Sequence, residues 1–300
     1  MNGILNILKP TGMTSHDVVS KIRKITKIKK VGHTGTLDPN AAGVLPICIG
    51  KATKISEMIL NKEKTYIGEL TLGIQTDTYD SFGRIIDKKD VIHINEKEVY
   101  EAFEKFKGEI NQTPPIYSAI KIKGKKLYEL ARAGQTDVNI KPRNVFIKSI
   151  EIKNISENKI LFEVTCSKGT YIRSLCKDIG DELGVGGHMS FLLRTSSGSF
   201  DIKNSVTLEE FEEASNNGNL EKYLFNIDYP LENYKSINIK ESAYKAFSNG
   251  NVVYKKGLIT LNNYENEELV KVYMKDKFCG IGKIIFIDER ISLKSYKLFL

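Results

Sequence analysis

Apolar and polar positions alternate along this chain in blocks whose period changes repeatedly between two and three to four residues. Ile4, Leu5, Ile7 and Leu8 form a short apolar run that stops at the turn Lys9-Pro10-Thr11-Gly12, which predicts a strand. Thr14 followed three residues later by Asp17 reads as a capping box, and Val18, Val19, Ile22 and Ile25 then fall at helical spacing. Ile47–Ile49 reads as a buried strand, and Thr65–Leu72 as another with Tyr66, Leu70 and Leu72 on one face. Asn95 with Glu98 caps a helix whose core side is Val99, Ala102, Phe103 and Phe106, ended by Gly108. Strands are expected over Val145–Ile152 and Ile160–Cys166, followed by a helix with Ile172, Leu175, Ile179 and Leu183 inward and Gly184 at its end. Thr207 with Glu210 caps one more short helix through Leu208 and Phe211.

The pattern changes near the end. Ala214–Asn219, ASNNGN, is the most linker-like composition of the chain. From about Leu231 one short helix, Glu241–Asn249, is surrounded by short strand signals at Val252-Val253, Leu258–Leu261, Leu269–Met274 and Gly280–Ile287. Three hundred residues accommodate a main domain and a smaller one, so the division expected is 1–230 and 231–300, the second a compact β-rich unit. No internal repeat is evident.

Composition narrows the class. An apolar fraction of 41% indicates a globular chain with a core. Forty-five Lys and Arg against 37 acidic residues leave a net charge of +8, which favours a polyanionic partner without choosing between nucleic acid and a membrane surface. Basic side chains concentrate on the first helix (Lys21, Lys24, Lys27) and in Lys121–Arg143, where Lys121, Lys123, Lys125, Lys126 and Arg132 alternate with Tyr128 after Tyr117. That mixture is the composition of an RNA-contacting flap, and equally of an ordinary surface hairpin. Cys48, Cys166, Cys176 and Cys279 are scattered without metal or disulfide spacing. The N-terminus has no basic leader before an apolar run, and no apolar stretch approaches a bilayer span. A cytoplasmic protein without membrane partners is expected.

Several chemistries fail on spacing. Gly50-Lys51 lacks both the upstream glycine and the following Ser or Thr of a P-loop, and no GxGxxG or GxSxG occurs. His16, His33, His93 and His188 show no paired metal spacing, and Asp77, Asp80 and Asp87 do not match an EF-hand. The stretch Leu72–Gly83 is read as a solvated turn, and no metal is expected. What remains is Gly32–Pro46, GHTGTLDPNAAGVLP, poor material for a regular helix or strand. Pro39 pushes Asp38 into an extended conformation, so a carboxylate is displayed on a glycine-flanked loop near His33. Read alone, the stretch is a turn.

Four separated motifs change that reading. KPTGMTS (Lys9–Ser15), GHTGTLDPNAAGVLP, KTYIGELTLG with QTDTYD, and CSKGTYIRSL together resemble the bacterial tRNA pseudouridine-55 synthase (TruB) family, in family order over nearly the whole chain. The resemblance implies an α+β fold, a mixed central β-sheet flanked by helices, with a small C-terminal β-rich PUA-like domain that binds RNA. It implies conversion of uridine to pseudouridine in the tRNA T-loop (position 55) by a stand-alone monomer. Asp38 corresponds to the family's catalytic aspartate, Tyr66 to the tyrosine that packs on the target uracil, and Arg173 to the arginine paired with that aspartate. Tyr171 and Leu192 match pocket positions, His33 the histidine near the extruded nucleotides, and Lys9 belongs to the first motif and is expected to bind RNA. The FLLRT segment departs from the paired-arginine form of many relatives, which puts RNA contacts near Arg194 in doubt. Exchanging a C–N for a C–C glycosidic bond transfers no electrons, so no redox cofactor is expected. The alternatives are a guide-RNA-dependent relative, disfavoured because the first motif begins as early as Lys9, and a non-catalytic RNA-binding or tRNA-folding protein.

Overall fold

The computed structural model describes residues 1–91, 95–122, 124–135, 138–259 and 263–299. His93, Lys123 and the far end of the strand expected at Leu258–Leu261 lie outside the described residues.

Among the described residues, ten strands join in one mixed sheet. Its order is Leu224–Phe225, Gly3–Lys9, Ala42–Ile49, Gly187–Ser197, Lys64–Leu72, Lys159–Cys166, Arg143–Ser156 and Gly108–Gln112. Val31–His33 pairs with Ala42–Ile49, and Phe200–Asp201 with Gly187–Ser197. All pairings are antiparallel except that of Gly187–Ser197 with Ala42–Ile49. Gly3–Lys9 and Ala42–Ile49 are buried almost residue by residue because both of their faces are covered. On one face, Leu5, Ile7, Leu45 and Ile47 pack on Val18, Val19 and Ile22 of helix Ser15–Thr26 and on Phe211 of helix Leu208–Asn216. On the other, Ile4, Val44 and Cys48 pack on Ala52, Ile55 and Phe200.

The far half of the sheet is covered by helices Glu96–Glu104 and Ile172–Glu182. There Leu70, Phe162 and Val164 meet Val99, Phe103, Leu175 and Ile179, with Phe103 edge-on to Phe162 at 5.5 Å. The capping boxes expected at Thr14, Asn95 and Thr207 are all formed. Each satisfies backbone N–H groups that a helix start leaves unpaired.

Two expectations are corrected, and one strand is added. Gly187–Ser197, which bridges the two halves of the sheet, is a strand that its sequence hides. GHMSFLLRTSS has no clean alternation, and register shifts after Met189 and Arg194 displace its inward positions. Ala214–Asn219 is not a linker: Ala214 is buried, and the chain returns to lay Leu224–Phe225 against Ile4 and Leu5. Of Gly32–Pro46, only 34–41 is loop; the ends belong to strands Val31–His33 and Ala42–Ile49.

Among the described residues, the C-terminal part forms a second, five-stranded sheet in the order Ser236–Asn238, Leu269–Met274, Lys277–Ile287, Arg290–Leu298, Val253–Tyr254. Helix Glu241–Ser248 packs Ala243 and Phe247 on Ile237, Val272, Ile284 and Leu293. Two of these strands, Ser236–Asn238 and Arg290–Leu298, carry no sequence signal noted above. The unit is not loosely tethered, because Leu231, Ile281 and Phe299 enter the apolar cluster beneath Ile4 and Val44. Lys54 Nζ also donates to the Leu298 carbonyl at 2.6 Å. Among the described residues, no helix is long and apolar enough to cross a membrane.

Candidate active site

The loop between Val31–His33 and Ala42–Ile49 is held from both sides. From below, the Ser15 hydroxyl accepts the Leu37 N–H at 2.9 Å, and the Gly12 N–H donates to the Pro39 carbonyl at 2.9 Å. Lys9 is buried, and its ammonium donates to the carbonyls of Pro10, Met13 and Pro39 at 2.8, 2.6 and 3.1 Å. Burial pushes the Lys9 amine down to about 8, with the Asp38 charge pulling the other way. The KPTG motif is therefore a cradle for Leu37-Asp38-Pro39. Its lysine has no exposed ammonium to offer a phosphate.

From the other side Arg194, 1% exposed, donates through Nε to the Val44 carbonyl at 2.7 Å and through Nη2 to the Gly35 carbonyl at 3.1 Å. Its own backbone runs against Gly43, whose φ is +120° and where a Cβ would stand 2.2 Å from the Arg194 carbonyl oxygen. Only glycine satisfies both demands. Arg194 is a brace under the loop, which settles its place: the side chain is interior.

Arg173 lies in the first turn of the helix Ile172–Glu182, and its side chain is 5% exposed. Nη2 donates to Asp38 Oδ1 at 3.2 Å, while Nε lies 2.9 Å from Oδ2, close enough for an ion pair but not aligned as a hydrogen bond. The same guanidinium donates to the carbonyls of Tyr117 at 2.9 Å and Thr78 at 3.3 Å, and Nη1 is 3.7 Å from Asp80 Oδ2. One rigid fork thus joins the loop, the helix, the turn at 77–83 and the base of the flap. The Asp38 side chain keeps 38% exposure, so the carboxylate is gripped on one side and open on the other. Crowding by protein raises its proton affinity, Arg173 opposes that, and Asp80 reinforces it; the balance lies above an ordinary aspartate.

Tyr171 precedes the helix, and Gln112 fixes it in place. The Gln112 amide oxygen accepts the Tyr171 N–H at 2.8 Å and its nitrogen donates to the Tyr171 carbonyl at 3.0 Å. Tyr66, on strand Lys64–Leu72, is buried in one cluster with Leu37, Ile172 and Leu192. Burial pushes the Tyr66 and Tyr171 phenols up, so both stay protonated at neutral pH. His33 accepts the Gly35 N–H on Nδ1 at 3.3 Å, and burial together with Arg194 lowers its proton affinity. The ring is neutral with its proton on Nε2.

The structure therefore pairs Asp38 with Arg173, packs Tyr66 and Leu192 in one buried cluster with Leu37 and Ile172, sets Tyr171 two residues before Arg173, ends the strand that leads into the Asp38 loop at His33, and puts Lys9 beneath that loop. Sequence reasoning missed Asp80, Gln112, Ser15 and the carbonyls of Thr78 and Tyr117. Leu72–Gly83 is no solvated turn: Ile74–Thr76 pairs with Ile85–Lys88, and Asp80 faces the arginine. The flap consists of Lys121–Ile122 paired with Lys125–Lys126 and helix Leu127–Arg132. Among the described residues, no cluster of His, Cys, Asp and Glu is arranged to hold a metal ion.

The chain has known relatives. A model for the N-terminal domain of TruB family pseudouridylate synthases matches residues 23–172, and one for the tRNA pseudouridylate synthase B C-terminal domain matches residues 173–234. The chain belongs to the TruB family. It is 55% identical over 301 residues to the tRNA pseudouridine synthase B of Clostridioides difficile (strain 630), covering 100% of both chains. It is 53% identical over 282 residues to that of Alkaliphilus oremlandii (strain OhILAs), covering 94% of this chain and 93% of the relative. Among solved structures it is similar to a Cbf5-Nop10-Gar1 complex, with TM-score 0.76 and 30% identity over 99% of this chain and 85% of that one. The mixed sheet and β-rich C-terminal unit are those of this TruB-type fold. The chain is an isomerase that makes pseudouridine.

Proposed function

We propose that this protein converts the uridine at position 55 of the tRNA T-loop to pseudouridine, acting without a guide RNA and as a monomer in the cytoplasm. The tRNA substrate class follows from its full-length relatives, which are tRNA pseudouridine synthases. The finer assignment rests on the site. The observation that carries it is the half-open Asp38 carboxylate held by the buried Arg173 fork.

The reaction breaks the bond from the ribose C1′ to uracil N1, turns the base and joins C1′ to C5; C5 releases its proton and N1 takes one up. An anionic Asp38 assists by attacking carbon or by abstracting a proton from the sugar; both demand an ionised carboxylate. Arg173 keeps it ionised against the crowding that raises its proton affinity. A uridine in a structured loop must leave its stack first, at a cost of a few kcal/mol. Stacking on Tyr66 at about 1–3 kcal/mol offsets part of that, while Tyr171 and Leu192 line the pocket and neutral His33 fills space among the displaced nucleotides. Lys9 is a positioning group for Pro39 rather than an RNA ligand. The flap at 121–143 and the unit 231–300, read as PUA-like, supply further RNA contacts.

The test is incubation of the purified protein with an unmodified tRNA transcript, followed by mapping of pseudouridine. Product at position 55 without added RNA is expected. Absence of product, or product only with a guide RNA, sinks the reading. The guide-dependent alternative draws on the similarity to an H/ACA ribonucleoprotein structure at 28% identity, against 55% to the tRNA enzyme.

A further inference from the structure

The turn that carries Asp80 also presents Phe82, which is 70% exposed. Single exposed apolar residues are common and mean little, but this one is displayed by a braced turn. The Asp80 carboxylate accepts the Phe82 N–H at 3.0 Å and the Thr78 hydroxyl at 2.7 Å through Oδ1, while Oδ2 faces Arg173. The Ser81 N–H donates to the Met189 carbonyl at 3.1 Å, and Asp77 Oδ1 accepts the Arg84 N–H at 2.8 Å. A Cβ at Gly83 would fall 2.3 Å from the Thr78 hydroxyl oxygen, so the chain passes too closely there for any other residue. Rigid backbone, an open ring, and a place two residues along the chain from Asp80 coincide at one position.

We propose that Phe82 is a stacking platform for an unpaired base of the RNA that adjoins the target uridine. The proposal rests on the RNA-modifying function above. The surroundings fit single-stranded nucleic acid. Ile85 and Ile86 continue an exposed apolar edge, and Arg84, its side chain 90% exposed, pairs with Asp77 at 3.2 Å in the same turn. An aromatic face next to a guanidinium binds bases with little sequence preference, because every base has a π-face. A neighbouring base displaced with the target uridine would otherwise sit unstacked. Phe82 returns its stacking surface on a support already ordered in the free protein, so little conformational freedom is lost on binding.

The chain contains no tryptophan, so Phe82→Trp makes a single-tryptophan reporter that keeps an aromatic face. Its emission is expected to be quenched on addition of the tRNA transcript. Phe82→Ala is expected to raise the KM for tRNA about 5- to 150-fold, the range for one lost base stack, with kcat changed much less. Phe82→Leu, apolar without a ring, should not rescue. Because the side chain is exposed, thermal midpoints should match the parent within a degree or two, about what a surface substitution allows. Unquenched emission in an active Phe82→Trp protein, an unchanged KM in Phe82→Ala, or full rescue by leucine overturns the platform. Rescue by leucine together with a shift in oligomeric state assigns the edge to a protein contact instead. Wild-type turnover is read on the same transcript, so a wild type that makes no pseudouridine overturns the functional reading rather than this one.

Discussion

Replacing Arg173 by alanine removes the fork that joins four segments, and its effects separate into stability and chemistry. Hydrogen bonds from a charged donor are worth about 1.5–3 kcal/mol each, and two go to backbone carbonyls, at Tyr117 and Thr78. Stranding one member of a buried ion pair costs about 3–5 kcal/mol. Asp38 keeps 38% of its side chain exposed, so its carboxylate rehydrates and most of the ion-pair figure is discounted. The contributions share one side chain and do not add. The expected loss is about 3–5 kcal/mol, a drop of roughly 5–8 °C in thermal midpoint for a body of this size.

The chemical effect has a definite sign. Asp38 already lies above an ordinary aspartate, and Arg173 is the strongest influence pulling it down. Without the arginine, the carboxyl stays protonated to higher pH. The anion is the reactive form, so the acidic limb of kcat/KM moves to higher pH and the loss of rate is greater at pH 6 than at pH 8. The assay is release of tritium from uracil C5 of a labelled transcript between pH 5.5 and 9. Arg173→Lys serves where the alanine variant does not fold, since it keeps the charge but not the reach to Asp38, Tyr117 and Thr78 together. An acidic limb that does not move in either variant refutes the role given to Arg173.

Other substitutions probe the scaffold of the same loop. Lys9→Met should lower kcat and thermal stability yet leave the salt dependence of tRNA affinity unchanged, because that ammonium bonds carbonyls; a slope reduced by about 0.7–0.9 would mark it as a phosphate ligand. Gln112→Ala leaves the Tyr171 N–H without its partner and should cost about 1–3 kcal/mol in denaturant unfolding, with unchanged stability counting against the clamp. Gly43→Ala meets the Arg194 backbone at 2.2 Å with φ at +120° and should cost about 3 kcal/mol or more; a near-native urea midpoint would contradict the close approach.

Much of the fold was legible where one local signal decided one element. The capping boxes at Thr14, Asn95 and Thr207 and the alternation of Tyr66 to Leu72 needed no tertiary information. What escaped depends on contacts distant in sequence. Gly187–Ser197 is a strand because both of its neighbours hold it there, and the linker-like end at Ala214–Asn219 is anchored by burial of Ala214. The site followed the same division. Asp38, Tyr66 and Arg173 were found through motif resemblance, since no spacing rule places an aspartate beside an arginine 135 residues later. In sequence Asp80 reads as a turn residue, because its partner, Arg173, is supplied by folding alone. Lys9 was expected to bind RNA, and the structure instead aims it at three carbonyls.

Asp38→Asn tests the central claim most directly, because it preserves the size of the side chain and removes only its charge. Wild type and variant are compared in single turnover on the same unmodified tRNA transcript, with affinity measured by filter binding. The account predicts pseudouridine at position 55 with wild type, none above background with the variant, and tRNA affinities within about threefold, a difference below 1 kcal/mol. Substantial turnover by Asp38→Asn would contradict it.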